Sequence, residues 1–270
     1  MLKPLLTALA LLLPASLQAE PARNIAELLH ASGVDVSYGT LGDVMANGAS
    51  EVGLNIDAAS AWRRAALTAF DGGLVIDQLV IALQSRHRME DFSEAAAFFD
   101  SPLGRHVTLA ENAAQKITDD GLVAAEGGAI MARLLSEDPA RIALYRRMVE
   151  ESGFLETALA STMSMNLAMV TGMQASGLMP FSMSQDEIIA MLNEQRGAIA
   201  AELERAIYIQ TAFTYAEISD EDMEAYADFL TGPVGLGFYA ALNVAISEVL
   251  NARARDFGEI FAELLQESAL

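Results

Sequence analysis

Residues 89–104 read MEDFSEAAAFFDSPLG, and this stretch decides the expected fold. The part that ends with the Phe-Phe pair has the composition of a short acidic helix. Ser101 and Pro102 then mark the start of a second helix, because Ser caps the first backbone N–H groups and Pro fits the first helical position. Gly104 carries no side chain, so the two helices can approach closely at the turn. The stretch predicts a tight helix–helix corner held by an aromatic side chain.

The same pattern returns 131 residues later. Residues 89–115 align with residues 220–246 without a gap, with nine identities in 27 positions. The identities include the residues that define the corner, which pair Phe98 with Phe229, Pro102 with Pro233 and Gly104 with Gly235. Such a repeat indicates one supersecondary unit used twice. We therefore predict two related helical halves, residues 20–138 and 139–270, packed with pseudo-twofold symmetry across an apolar seam.

The rest of the chain carries helical signals and few strand signals. Apolar residues recur with a period close to 3.6, which is typical of amphipathic helices. Asp57 is expected to cap one helix, and Asp138 followed by Pro marks the start of another. We predict one long helix over 185–214 and a last helix from Pro233 to about Leu265, because these stretches lack internal breaks. The expected fold class is an all-α bundle.

The first corner resembles the signature of an exported bacterial family, domain-of-unknown-function family 2059. That signature combines paired aromatics, Ser-Pro and Gly after an acidic segment, as in residues 89–104. The second copy departs from it, with Gly232 in place of Ser and Leu230 in place of the second aromatic residue. The resemblance covers one corner in each half and implies a periplasmic, helical protein. It implies no activity.

The N-terminus has the features of an export signal. Lys3 precedes an apolar run of nine residues, and Pro14 and Ala19 then end the segment. This order is typical of a secretory signal peptide, and the run is too short for a membrane span. We predict cleavage after Ala19, so that residues 1–19 are removed and the protein is periplasmic. The absence of Cys excludes a disulfide framework.

The charge and hydrophobic content of the sequence exclude some classes of binding partner. The chain has 16 Lys and Arg against 37 Asp and Glu, a formal charge of −21, which argues against nucleic-acid binding and a polybasic membrane surface. With 53% hydrophobic residues the chain is far from the composition of disordered proteins. No later apolar run is long enough to span a membrane. We expect an envelope protein or peptide as the partner.

Catalytic and metal motifs are absent from the sequence. The three histidines, His30, His87 and His106, have no second His or Cys at ligand spacing, so we predict surface or capping roles for them. No Gly-x-Ser-x-Gly elbow, calcium loop or nucleotide-binding Gly pattern occurs. We therefore predict no cofactor and no catalytic residue. The corner residues Phe98, Ser101, Pro102 and Gly104, with their counterparts Phe229, Pro233 and Gly235, are predicted to be structural.

Methionine forms the one unusual constellation. Met165, Met169 and Met173 lie four residues apart, which places them on one face of a helix. Such a stripe fits a core seam between packed helices, a flexible groove for an apolar partner, or a soft Cu(I) site. The leading functional hypothesis is a non-catalytic interaction or scaffold protein that binds an apolar peptide or partner helix at this face. The alternatives are Cu(I) handling by these Met residues and an envelope hydrolase with unidentified carboxylates.

Overall fold

The computed structural model describes residues 24–50, 54–117, 119–175 and 183–268. Within these ranges all regular structure is helical, which confirms the predicted all-α class. The predicted signal peptide, residues 1–19, lies outside the described residues. Thirteen α-helices occur in this part of the chain: α1 Ile25–Ala31, α2 Val34–Gly39, α3 Leu41–Asn47, α4 Ile56–Ala69, α5 Gly72–Gln84, α6 Ser93–Phe99, α7 Pro102–Gln115, α8 Asp120–Glu137, α9 Pro139–Glu151, α10 Phe154–Ala175, α11 Gln185–Thr214, α12 Asp220–Thr231 and α13 Pro233–Ser268.

Side-chain caps set most of the helix starts. The Ser101 hydroxyl accepts a hydrogen bond from the Gly104 N–H, and the Asp138 carboxylate accepts one from the Arg141 N–H. The predicted bounds of α11 are confirmed, and α13 extends three residues beyond the predicted end. The predicted cap at Asp57 is wrong, because Asn55 takes that position and its side chain accepts from the Ala58 N–H. Asp57 lies in the first turn, where negative charge suits the helix dipole.

Three hydrophobic clusters form the interior. The first joins α1, α5, α6 and α13, and its fully buried members include Leu28, Val75 and Phe99. The second joins α3, α4 and α13 around Trp62 and Phe261. The third joins α7, α9, α11 and α12, and its buried members are Val107, Tyr145, Met148, Ala212, Tyr215, Ile218, Met223, Tyr226 and Ala227. Because α13 contributes to two clusters, this helix is the central support of the fold.

The two helix–helix corners meet at an aromatic stack. The rings of Phe98, from α6, and Phe229, from α12, lie 3.6 Å apart and within 4° of parallel. At each corner a glycine faces backbone: a Cβ on Gly104 would lie 2.0 Å from the Phe98 carbonyl oxygen, and one on Gly235 would lie 2.2 Å from that of Phe229. Phe98 and Phe229 each pack against both the first and the third clusters. The stack therefore joins the parts of the core that the two corners build.

The second corner lacks the Ser cap for a steric reason. A Cβ on Gly232 would lie 2.7 Å from the carbonyl oxygen of Asp228, closer than real Cβ atoms come. The boundary predicted between the two halves coincides with the junction of α8 and α9 at Asp138. All three clusters draw residues from both sides of that boundary. The division into two related halves stays a prediction.

Candidate functional site

An open cleft lies between the start of α13 and the segment that leads into α6. Its volume is about 500 Å³, within the range of pockets that hold a ligand. Phe92 and Phe238 form an aromatic floor, with their ring centroids 5.8 Å apart in an edge-on arrangement. Both side chains are buried, at 5% and 2% exposed, so the floor is part of the first cluster. The floor of the cleft is therefore held in place by the packing of the first cluster.

The rim of the cleft is acidic and open to solvent. Glu90, Asp91 and Glu94 line it and are exposed. On the opposite side Gly237 presents no side chain, and no atom lies within 4 Å of the position that its Cβ would take. The His87 ring lies 5.2 Å from the Phe92 ring at one end. An apolar floor below a negative rim suits an occupant that carries both apolar and positive groups.

The predicted corner residues lie beside this cleft. Pro233 belongs to its lining, and Gly235 lies two residues from Gly237 along α13. The corner therefore sets the position of α13 relative to α12, because a side chain on Gly235 would push the helix away from the Phe229 backbone. Sequence reasoning did not find the cleft. Its residues come from segments about 140 positions apart, and only folding brings them together.

The predicted methionine face lies on α10. Met165, Met169 and Met173 all belong to this helix, and their side chains lie outside the part of the structure that is described. A small cavity of about 60 Å³ lies between α10 and α13, and its lining includes Ser161, Ser164 and Ser247. The roles of the three methionines as core, groove or copper site stay predictions.

A carboxylate with two tyrosines forms a polar centre inside the third cluster. Glu111, on α7, accepts hydrogen bonds from the hydroxyls of Tyr215 at 2.5 Å and Tyr226 at 2.7 Å. Burial raises the pKa of Glu111, and the two hydrogen bonds partly oppose that rise. Burial raises the pKa of Tyr239 as well, and the charge of Glu111 adds to the effect. No second carboxylate hydrogen-bonds Glu111 among the described residues, and Glu111 does not line the cleft.

The sequence did contain a signal for this centre. Glu111 lies four residues after Val107 and three before Ala114, both of which are buried. That spacing puts the carboxylate on the inward face of α7. A carboxylate on that face needs hydrogen-bond partners, and Tyr is a residue that can supply one from an apolar surrounding. The identity of the partners, from α12 and the end of α11, follows only from the tertiary structure.

Arg141 ties the loop between α11 and α12 to α9. The side chain is 4% exposed, and its guanidinium donates to the backbone oxygens of Tyr215 and Ile218 at 2.8 and 2.7 Å. It also donates to the Asp220 carboxylate at 2.7 Å and to the Tyr145 hydroxyl at 3.1 Å. These bonds satisfy a buried positive charge and hold the loop in one conformation. The group is fully engaged and has a structural role.

Two of the three histidines lie beside a carboxylate. The His30 ring is 2.7 Å from the Asp35 carboxylate, and the His106 ring is 3.8 Å from that of Asp222. Both are at least half exposed. Among the described residues no group of three or more His, Asp or Glu side chains is arranged to hold a metal ion.

Two helical stretches, Ile56–Gln84 and Pro233–Glu267, are long and apolar enough to cross a membrane by length and composition alone. Both supply buried residues to the clusters, including Trp62, Val75 and Phe261, as core helices also do. The expectation that no segment spans a membrane after signal cleavage stays a prediction. The chain matches no protein-family model, no curated protein and no solved structure. The family resemblance therefore rests on the corner residues alone.

Proposed function

We propose that this protein is an exported, non-catalytic binding protein of the periplasm, and that its binding surface is the cleft between α6 and α13. The occupant that we propose is a segment of a partner protein that carries both apolar and basic side chains. The observation that carries the proposal is the aromatic floor of Phe92 and Phe238 beneath a rim of three exposed acids.

Charge supports a foreign partner over a second copy of the chain. The chain has a formal charge of −21, so two copies repel each other. A basic segment is attracted to the same surface, and the acidic rim would steer it toward the floor. The cleft is open to solvent along its acidic side, which suits an extended or helical segment.

The arrangement favours binding over catalysis. Glu111 is the described carboxyl group whose pKa is raised by burial, the property expected of a general acid. Its two hydrogen bonds go to tyrosines, and it lies away from the cleft. A glycoside hydrolase would need two carboxyl groups that face one substrate. The Met face of α10 is retained as a second predicted surface for the same function.

The test is a selection from a random displayed peptide library against the protein purified after expression of the full chain. Selected peptides are then titrated against three forms: wild type, Gly237→Leu and Gly197→Leu. Gly237→Leu places a side chain in the cleft. Gly197→Leu is the matched control, because Gly197 also lies within a helix with nothing within 4 Å of its Cβ position. Both changes favour the helix to a similar degree.

We expect selected peptides to be enriched in basic and apolar residues. Gly237→Leu should weaken their binding by about tenfold or more, which corresponds to about 1.4 kcal/mol. Gly197→Leu should leave binding unchanged. The proposal is wrong if no peptide is selected above background, or if the selected peptides bind Gly237→Leu as tightly as wild type.

A further inference from the structure

We call the cleft between the segment that leads into α6 and the start of α13 the open corner. Its counterpart under the 131-residue shift, where the start of α12 faces α7, is the filled corner. The 131-residue shift pairs Asp91 with Asp222 and Gly237 with His106. At the filled corner the His106 ring lies on α7 with its Nδ1 atom 3.8 Å from the Asp222 carboxylate on α12. At the open corner Asp91 and Gly237 line the cleft. The position that carries the imidazole of His106 at the filled corner therefore carries no side chain at the open corner, where it is Gly237.

The packing below these positions corresponds as well. Phe92 contacts Phe238 at the open corner. Their counterparts under the same shift, Met223 and Val107, are both buried in the third cluster at the filled corner. The helix pairs that supply these positions also match: a Cβ on Gly104 would lie 2.0 Å from the Phe98 carbonyl oxygen, and one on Gly235 would lie 2.2 Å from that of Phe229. The α7 helix therefore packs on α6 as α13 packs on α12.

The corners differ in several side chains. Gly237 replaces His106, and Ala95 replaces Tyr226, so two large side chains are missing at the open corner. Glu94 replaces Ala225 and Ser93 replaces Glu224, so this stretch carries one acid at each corner. The open corner therefore lacks the imidazole and the phenol present at the filled corner, and it keeps the acid Asp91 that corresponds to Asp222.

We infer that the cleft receives a cationic side chain of the partner, which lies beside Gly237 and pairs with Asp91 as His106 pairs with Asp222. This inference rests on the proposed function for the nature of the partner, and it names the anchoring group. An Arg side chain fits best, because a planar guanidinium can pair with a carboxylate through two parallel hydrogen bonds. The partner segment contributes the group that the chain itself supplies at its other corner.

The probe for the test is methylguanidinium, with methylurea as the uncharged control of the same shape. Backbone amide signals of Asp91 and Gly237 are followed by NMR during titration at constant ionic strength. We expect a saturable shift of both signals with methylguanidinium and none with methylurea. Asp91→Asn should weaken this binding by about tenfold, because it removes the charged partner of the ion pair. Asn keeps an acceptor for the Arg88 N–H, so the local turn is preserved.

A second variant should create a new cation site at the filled corner. His106→Ala removes the imidazole and keeps a good helix former, so it should create a second saturable response at the Asp222 amide. A response to methylurea equal to that with methylguanidinium, or binding that survives Asp91→Asn, would overturn the inference. Selected peptides that bind Asp91→Asn as well as wild type would overturn it and leave the proposed function standing. If methylguanidinium bound but no peptide were selected, the proposed function would be overturned and the cation site beside Asp91 would stand.

Discussion

Two glycines of α13, two residues apart, should respond in opposite directions to the same substitution. A Cβ on Gly235 would lie 2.2 Å from the carbonyl oxygen of Phe229, 2.9 Å from its carbonyl carbon and 3.1 Å from the Cα of Leu230. All three atoms are backbone, so no rotamer change can relieve the contact. Gly235→Ala must separate α12 from α13 and disturb the stack of Phe229 on Phe98.

The magnitudes follow from these contacts. Overpacking costs about 1 to 3 kcal/mol, and loss of the aromatic pair costs about 0.5 to 1.5 kcal/mol more. Helix propensity returns about 1 kcal/mol, so we expect Gly235→Ala to lower the free energy of unfolding by about 2 kcal/mol. Gly237 has nothing within 4 Å of its Cβ position, so Gly237→Ala should raise that free energy by about 1 kcal/mol through helix propensity. The two variants should therefore differ by about 3 kcal/mol, because the gain in helix propensity is common to both.

Urea unfolding followed by far-UV circular dichroism measures both changes. Gly104→Ala, at the other corner, is the parallel variant, because its Cβ would lie 2.0 Å from the Phe98 carbonyl oxygen. We expect it to be destabilised like Gly235→Ala. If Gly235→Ala and Gly237→Ala unfolded at the same urea concentration, the close approach of α12 and α13 would be refuted, and with it the shape of the cleft.

Two further changes test the polar centres. Arg141→Met leaves the carbonyl oxygens of Tyr215 and Ile218 without their donor and should cost about 2 to 4 kcal/mol in urea unfolding, whereas an unchanged midpoint would show that the loop does not depend on Arg141. Burial raises the pKa of Glu111 in the folded state, so above pH 4.5 the native protein binds more protons than the unfolded chain. The contribution of Glu111 to the free energy of unfolding therefore falls as the pH rises from 4.5 toward the raised pKa. Glu111→Gln should remove that loss, so that its stability relative to wild type increases with pH; a pH-independent difference would contradict this reasoning.

Helix starts and ends could be predicted from the sequence where they depend on neighbouring residues. The start of α7 at Ser101 and Pro102 and the bounds of α11 depend on capping atoms within one turn, and these were predicted correctly. The start of α4 was misplaced because Asn55 and Asp57 are both good capping residues and lie two positions apart. Asn55 caps the helix, and Asp57 lies inside its first turn.

The sequence by itself determined the all-α class, the starts of α7, α9 and α13, the bounds of α11 and the two corner motifs, because capping and apolar periodicity act over a few residues. It also contained the inward-facing Glu111, whose spacing could have been recognised. Only the tertiary structure decided that Tyr215 and Tyr226 satisfy this carboxylate, and that Asp91 and Gly237 share one cleft. These contacts join residues 104 to 146 positions apart, and they form only when burial of the apolar faces brings α7, α12 and α13 together.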